Sequence, residues 1–505
     1  MTTTTSREIE RKYVLAPGTP LPMLGGVSGV DAVTEPNAFT QEAIYFDTPG
    51  LRLASNSITL RRRTGGTDDG WHLKLPAAGG RDEITVPLGS AGNEPPADLA
   101  DLVQAFTRGE PLSPVGRIVT HRAARLLKAE DGTALAEVVI DDVSAQTLGE
   151  STTLTTWSEA EVELVGGDPG LLDEIEDVLA AAGIQRAASP SKLAQLLGDR
   201  LPSPPPKAAK RSSAGEVAVA YLREQLQTLL AYDPRVRRDE DDAVHKMRVA
   251  TRRTRSTLKT FGPLFADPDR LTALGEELRW IGAELGAVRD LDVLPATLAA
   301  ALAGVPDELI VGPVHARIAA RTAHDRAAAR TELLAALNSD RYFALLSEFE
   351  SLAADPPFVP AAGDPGAHGL PRLIRRTYRR VARRVTTALE ADPGPHRDEA
   401  IHEARKAAKR ARYAGEATAP TFGKLARAYA ARMQELQELL GEHQDTVVAR
   451  QVLRQLGMQA QLAGENAFTY GLLYGLAAGR ATAAEQALPA LWHAHSDDKL
   501  RGWFS

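Results

Sequence analysis

Apolar and polar residues alternate in short segments over the first 200 residues, at 7–15, 57–63, 71–75, 81–88, 135–143 and 158–165, each bounded by Gly, Pro or Asp. A period of two predicts strands with one buried face. This half therefore reads as a mostly antiparallel β domain, with helices expected at 97–107 and 170–182. From about Gly215 to Ala487 the pattern changes to helical spacing rich in Ala, Leu, Arg and Glu. It breaks at Asp233-Pro, at Asp267-Pro, between Asp355 and Pro371, and at Asp392-Pro-Gly-Pro. Between the halves, the prolines of 201–214 forbid helix and favour an extended spacer. The predicted organisation is α+β and multidomain: a β domain over 1–200, a Pro/Ser/Lys-rich linker over 201–214 and an all-α domain over 215–505.

The same alternation sorts the charges of the β half. Glu8, Glu10 and Lys12 share one strand face opposite Ile9, and the rule pairs Arg61 with Arg63, His72 with Lys74, Arg81 with Glu83, Glu137 with Asp141, and Glu159 with Glu161 and Glu163. The opposite faces carry Ile58, Leu60, Trp71, Leu73, Leu75, Ile84, Val86, Val138, Ile140, Val162 and Leu164. A charged face on a single strand is ordinarily just solvated. Like charges two apart, as in Glu8/Glu10, Glu161/Glu163 and Arg61/Arg63, are relieved by a divalent cation for the acids and an anion for the arginines. A hard cation held by carboxylates and shared with phosphate oxygens suits Mg2+ or Mn2+. A sheet curled with its ionic face inward would enclose a cage the size of a triphosphate. His72 stands singly beside Lys74 and is a weak candidate for a base.

The helical half contains one basic stripe twice: His245-Lys-Met-Arg-Val-Ala-Thr-Arg-Arg-Thr-Arg and His402-Glu-Ala-Arg-Lys-Ala-Ala-Lys-Arg-Ala-Arg. Offsets of 0, 3, 7 and 10 fall within an arc of about 80° on a helix, so His245, Arg248, Arg252 and Arg255, and likewise His402, Arg405, Lys409 and Arg412, form cationic rails. The rails repeat after 157 residues. The Leu285-Gly-Ala-Val-Arg-Asp290 and Leu440-Gly-Glu-His-Gln-Asp445 elements that follow them repeat after 155. Two elements repeating in order indicate an internal duplication, about 215–355 and 368–505, of a helical bundle. Arginines at 372, 375, 376, 379, 380, 383 and 384 extend the cationic surface.

Charge sharpens this division. The net charge of −7 combines 17 Lys+Arg against 29 Asp+Glu in residues 1–200 with 42 against 37 in the remainder. A basic half beside an acidic one points to a polyanion-binding module joined to something else. Aromatics make up 5% of the chain and Tyr413 alone adjoins a rail. Nucleic acid, whose single strands usually bind by stacking on aromatics, is therefore not expected. The chain has no cysteine, which excludes thiolate zinc sites and cysteine nucleophiles. No run approaches the ~18 apolar residues of a membrane span, so the protein is expected to be cytoplasmic with no membrane partner. The sequence sets no oligomeric state.

The ordered series Glu8-x-Glu10-x-Lys12, Tyr45-Phe-Asp-Thr-Pro, Leu60-Arg-Arg-Arg63, Trp71-His-Leu-Lys74 and Glu161-x-Glu163 resembles the CYTH, or triphosphate tunnel metalloenzyme, family over about residues 5–200. The resemblance implies an antiparallel β tunnel barrel. It implies phosphate contacts from Lys12, Arg61, Arg63, Lys74, Arg122 and Lys192, with Arg125 a neighbouring candidate for the place of Arg122. It implies metal ligands at Glu8, Glu10, Asp141, Glu161 and Glu163, and catalysis by Glu8, Glu10, Lys12, Glu161 and Glu163 with Mg2+ or Mn2+. The rails and Leu-Gly-x-x-x-Asp elements resemble the CHAD domain across about residues 213–505. That resemblance implies a pair of duplicated four-helix bundles binding inorganic polyphosphate through His245, Arg248, Arg252, Arg253, Arg255, His402, Arg405, Lys409, Arg410 and Arg412.

The expected activity is metal-dependent hydrolysis of inorganic tripolyphosphate, with long-chain polyphosphate held by the helical half and the protein associated with polyphosphate granules. Two alternatives stay open at this point. The protein could be a noncatalytic polyphosphate-binding or phosphate-sensing protein, or a CYTH enzyme acting on thiamine triphosphate or ATP.

Overall fold

The structure, a computed structural model, describes residues 3–66, 68–89, 92–149, 152–202, 211–496 and 501–504, apart from the side chains of residues 321 and 322. Contacts divide the chain into two units, residues 1–204 and 205–505. Residues 203–210 of the expected linker lie outside the described residues.

In the first unit ten strands form one antiparallel sheet. They are β1 (Thr4–Glu8), β2 (Glu10–Leu15), β3 (Ala32–Val33), β4 (Asn37–Asp47), β5 (Thr59–Thr64), β6 (Gly70–Ala77), β7 (Gly80–Val86), β8 (Ser113–Lys128), β9 (Ala134–Thr147) and β10 (Leu154–Leu164). Their order is β1-β7-β6-β5-β4-β8-β9-β10-β2, with β3 paired to β8. β1 and β2 are one segment divided at Ile9, so both ends of the path belong to the same stretch of chain and the sheet returns on itself as a tube. At the changeover Glu8 pairs with Arg81 and Glu10 with Glu163. Gly80 opens β7 because a Cβ there would meet the Glu8 carbonyl oxygen at 2.1 Å.

Five short helices accompany the sheet: α1 (Arg52–Ser55), α2 (Ala97–Ala100), α3 (Gln104–Thr107), α4 (Gly170–Ala181) and α5 (Lys192–Leu197). The helix expected at 97–107 is instead α2, a 3-10 turn and α3 in succession. Tyr13, Leu15, Leu127, Ala136, Val138 and Val162 point out of the tube into a core closed by Leu171, Leu172, Ile175 and Leu179 of α4. The interior has two zones. At one end Ala43, Tyr45, Ile118, Val143 and Ala145 pack on Leu193, Leu196 and Leu197 of α5, which plugs the tube. Beyond the plug the lining is ionic.

The second unit is helical: α6 (Ala214–Arg237), α7 (Ala243–Phe261), α8 (Pro268–Ala303), α9 (Val314–Leu337), α10 (Asp340–Ala354), α11 (Gly366–Gly369), α12 (Pro371–Glu390), α13 (Pro395–Phe422), α14 (Lys424–Leu462) and α15 (Phe468–His495). A capping box starts α6, with the Ser213 hydroxyl accepting from the Glu216 N–H and the Glu216 carboxylate accepting from the Ser213 N–H. Such caps contribute about 1 kcal/mol. The helices pack consecutively from α6 to α9 and again from α12 to α15, the order expected of a duplicated bundle. The copies join where α7 packs on α13, and where Leu298, Leu302, Val314 and Ile318 share a core with Leu453, Leu456, Tyr470 and Leu473. No described helix is long and apolar enough to cross a membrane.

Candidate functional sites: a charged tunnel and a cationic cavity

Strand alternation turns the ionic face of the first unit into the wall of a cavity of about 200 Å³. Glu8, Glu10, Lys12, Arg61, Arg63, Lys74, Arg122, Glu161, Glu163 and Lys192, all singled out in the sequence, line it together. Asp141 lies behind the wall, fully buried, with both carboxylate oxygens accepting from Arg122 at 2.8 and 2.7 Å. Arg125 is exposed on the outer face of β8, three residues and therefore one face away from Arg122. His72 is buried off the cavity, with Nδ1 3.0 Å from Glu83 and Nε2 2.9 Å from the Asp68 carbonyl. It is not among the cavity's lining residues and reaches the cavity wall through Glu83.

Two groups of acids differ in what holds them. Asp141, Glu159 and Glu161 converge closely enough to share one cation, and the Lys192 ammonium already sits among them at 2.9, 2.7 and 2.7 Å. Glu161 also takes Lys12 and Arg122. Against burial, Lys12, Lys192 and Arg122 hold the Glu161 carboxyl well below its usual range. The second group is a row across three strands, Glu137, Glu163 and Glu10, neighbours by register on β9, β10 and β2. Glu8 lies one alternation further along the N-terminal segment.

Within the row, Glu163 makes no hydrogen bond or ion pair among the described residues. Burial pushes it up to about 7, opposed by Lys74 and reinforced by Glu10, Glu161 and Glu83. Burial likewise pushes Glu8 up to about 8, although Lys74 stands 2.6 Å away. Burial also works against ionisation of Glu10, but Lys12, Lys74 and Arg81 outweigh it and hold it low. Glu8, Glu10, Glu137 and Glu163 line one cavity with Lys12, Lys74 and Arg81 as the cations beside them, an excess of acid that fits a hard divalent ion. Glu8, Glu10 and Glu163 are the residues that would hold it.

The basic side of the tunnel also has unmet demand. Arg61 reaches the Tyr45 hydroxyl at 3.3 Å and Glu83 at 3.6 Å, and Arg63 pairs with Asp68, yet the Nε of each arginine is buried without a hydrogen-bond partner among the described residues. A buried unsatisfied donor costs roughly 1–3 kcal/mol, which a phosphate oxygen would relieve. Tyr45, Asp68, Arg81, Glu83 and Glu137 complete the wall. The sequence placed Arg81, Glu83 and Glu137 on the ionic face without a role, and Tyr45 within its motif. Nothing in the sequence pointed to Asp68, which comes from the loop after β5.

In the helical unit the two rails face a single cavity of about 910 Å³. His245, Arg248, Arg252 and Arg255 line it from α7, and His402, Arg405, Lys409 and Arg410 from α13. Lys259, Arg289, Arg380 and Lys406 add four cations that the rails did not include. Arg380 alone of the 372–384 run reaches the cavity among its described lining. Arg253 and Arg412 point elsewhere. Both pair with Glu416, at 3.0 and 2.7 Å, beside the Tyr413 ring; the Arg253 pair ties α7 to α13, while the Arg412 pair lies within α13. Arg412, the last position of its rail, and Arg253, next to the other rail, thus engage Glu416 and are not among the residues lining the cavity.

The repeated Leu-Gly-x-x-x-Asp element explains how the rails are held. Leu285 and Leu440 are core residues. A Cβ on Gly286 would meet the Arg248 guanidinium at 3.2 Å, and one on Gly441 would meet that of Arg405 at 3.1 Å. Each glycine lets an arginine lie flat on the neighbouring helix. One turn later the aspartate pairs with it: Arg248 donates to Asp290 at 2.9 Å, and Arg405 stands 3.8 Å from Asp445.

Elsewhere the cations outnumber their partners. Burial first, then Arg405, Arg252 and Arg248, push the Lys409 ammonium down to about 7. Burial followed by neighbouring cations also lowers Arg410, while burial is the main cause for Arg252, Arg255 and Arg405. The Nε atoms of Arg252, Arg255 and Arg405 are buried without hydrogen-bond partners among the described residues. A cavity in which like charges suppress one another's protonation is suited to a polyanion.

Comparison with known proteins agrees with both halves. The CYTH domain model matches residues 6–197 and the CHAD domain model residues 220–454. Uncharacterized proteins from two strains of Mycobacterium tuberculosis, CDC 1551 and H37Rv, are each 39% identical over 502 residues, covering 96% of this chain and 95% of theirs. The crystal structure of the CHAD domain from the plant Ricinus communis is 28% identical, covering 57% of this chain and 94% of that one, with a TM-score of 0.45. A Hippeastrum protein, described as an adenylyl cyclase assignment that reveals a dominant triphosphatase activity, is 15% identical, covering 38% of this chain and 95% of that one, with a TM-score of 0.21. With its tunnel matched by one domain and its paired bundles by the other, the chain belongs to the CYTH family through its first unit and to the CHAD family through its second.

Proposed function

We propose that the tunnel hydrolyses inorganic tripolyphosphate with Mg2+ or Mn2+ and that the helical cavity holds long-chain polyphosphate. CYTH domains are metal-dependent and act on phosphoanhydrides, as triphosphatases or cyclases. The choice of an inorganic substrate rests on one observation. Among the described lining residues of the 200 Å³ cavity, Tyr45 is the single aromatic and no aliphatic side chain is present. A nucleobase or a thiazolium ring would find no apolar seat there, whereas a bare phosphate chain would meet charge on every side.

The chain's own residues supply most of what phosphoanhydride cleavage requires, which is positioning and charge neutralisation. Arg61, Arg63 and Lys74 from β5 and β6 would hold phosphate oxygens from one side, and Lys12, Arg122 and Lys192 from the other. Lys192, Lys12 and Arg122 together balance Asp141, Glu159 and Glu161 and leave the row of Glu10 and Glu163, with Glu8, for the cation. When bound, the divalent ion supplies charge neutralisation at the phosphate and a polarised water. The carboxylates around it would orient that water in line with the terminal phosphorus. No serine, cysteine or histidine nucleophile is needed.

Arg61→Ala or Arg63→Ala tests this division of labour. Each is expected to raise KM for tripolyphosphate and to lower kcat/KM by roughly 100-fold, the scale of removing one charge-stabilising donor. Excess Mn2+ should not restore the rate. Rescue by the metal would place these arginines with the cation rather than with the substrate.

A further inference from the structure

Outside both sites, side chains from three helices of the second bundle converge. His443 of α14 is 1% exposed, and its Nε2 lies 3.3 Å from Asp398 Oδ1 of α13 and 3.2 Å from Glu485 Oε1 of α15. Those separations are long for a charge-assisted N–H···O bond, which settles at about 2.7–2.9 Å. They match the edge, roughly 3.3–3.4 Å, of a tetrahedron whose ligands stand about 2.0–2.1 Å from a shared ion.

The remaining oxygen of each carboxylate is engaged by an arginine. Asp398 Oδ2 accepts from Arg450 at 3.3 Å, and Glu485 Oε2 accepts from Arg397 at 3.0 Å. Arg397 is itself fixed by the Ala391 carbonyl at 2.8 and 2.6 Å. Each acid is therefore oriented from outside while its inner oxygen faces the imidazole, the arrangement of ligands backed by a second layer of hydrogen bonds. The first bundle offers an internal comparison. At the 155-residue offset relating Leu285 to Leu440, the counterpart of His443 is Val288, a fully buried core residue. The second copy places an imidazole where the first has an aliphatic core residue, and a carboxylate, Glu485, where the first has Arg330.

We propose that Asp398, His443 and Glu485 form a binding site for a divalent transition-metal ion, with water completing the coordination. One imidazole nitrogen and two carboxylate oxygens suit Zn2+ or Mn2+. The ion would fasten α13, α14 and α15 together. The site is separate from the tunnel and does not depend on the reading given to it.

The test uses the full-length protein stripped of metal and titrated with Zn2+, with thermal unfolding followed in parallel. Wild type is expected to bind one equivalent that survives Glu10→Gln, which removes a tunnel carboxylate, and is lost in His443→Gln. That equivalent should raise Tm in wild type and leave Tm unchanged in His443→Gln. Glu485→Gln, altering a partly exposed member of the set, carries the same test if His443→Gln does not fold. Arg397→Gln should retain the equivalent with affinity about 10–100-fold weaker. The proposal is overturned if wild type binds no such equivalent, or if His443→Gln and Glu485→Gln keep the wild-type number of equivalents and the same Zn2+-dependent rise in Tm. In either case the three residues are a hydrogen-bonded cluster only.

Discussion

Glu10→Ala is expected to lower metal-dependent tripolyphosphate hydrolysis by about 100-fold or more and to lower the Tm of the metal-free protein modestly. Removing one group that stabilises a charged transition state costs on this scale. The stability expectation follows from the cations around Glu10: Lys12, Lys74 and Arg81 hold its carboxyl low against burial, so the ionised group stabilises the fold. Glu163→Ala should lower activity on the same scale but leave the metal-free Tm unchanged or raised, because burial and neighbouring acids push its carboxyl up and it has no ion pair among the described residues to lose. Wild-type rates in these variants would remove the row from the mechanism.

The same carboxylates set a pH dependence. In the metal-free tunnel Glu8 stands at about 8 and Glu163 at about 7, so protons compete with the ion below those values and are released as it binds. At limiting metal, activity should rise from pH 6 to pH 9, and the rise should flatten when metal is raised to saturation. An activity that falls over this window at limiting metal would contradict the assignment of Glu8 and Glu163.

Replacing Arg248, Arg252, Arg405 and Lys409 together with Ala is expected to weaken long-chain polyphosphate binding by at least 100-fold at about 0.1 M salt. For linear polyanions, log affinity falls linearly with log salt concentration, with a slope set by the number of neutralised phosphates. The variant's slope should therefore be shallower than that of wild type by about the number of cations removed. Binding should also weaken as pH rises above 7. Lys409 stands at about 7 in the free protein, and a bound phosphate would raise it, so binding takes up a proton and loses strength above the free value. Titrations by calorimetry at pH 6 and pH 8.5 check this, and equal affinities would show that Lys409 does not face the ligand. Arg253→Ala and Arg412→Ala should change Tm more than affinity, since these side chains hold Glu416.

The parts of this fold that were legible in advance are those in which alternation has one buried face and one charged face. β5, β6, β7, β9 and β10 are of that kind, and Arg61, Arg63, Lys74, Arg81, Glu83, Glu137, Glu161 and Glu163 from them line the tunnel, whereas His72, Asp141 and Glu159 are not in its lining. β4 and β8 escaped the pattern because their inward faces turn apolar where they meet the plug. On β8 the inward positions run Gly116, Ile118, Thr120, Arg122 and Ala124, passing from the apolar zone against α5 to the ionic zone. Polarity then changes along one face rather than between two faces, and Ala123, Ala124, Leu126 and Leu127 look helical in sequence. The choice between Arg122 and Arg125 had to wait for the strand, because the pairing of Arg122 with Asp141 is a matter of register.

Lys192 illustrates a different limit. Its residue type and approximate place were available from the family pattern, but its seat among Asp141, Glu159 and Glu161 depends on the plug, which brings residue 192 to a wall built from residues far earlier in the chain. In the helical unit the repeat itself was plain. The reason for its glycines was not, since Gly286 and Gly441 make sense only against the arginines of an adjacent helix.

Phosphate release from tripolyphosphate by the full-length wild type, with Mg2+ or Mn2+, against the same assay on thiamine triphosphate and ATP and alongside cyclic AMP formation from ATP, tests the central claim most directly. The account predicts metal-dependent release from tripolyphosphate, with kcat/KM higher than for either organic triphosphate and no cyclic product. No release from any triphosphate with either metal, in protein that still binds long-chain polyphosphate, would contradict it and leave a phosphate-binding protein without hydrolytic activity.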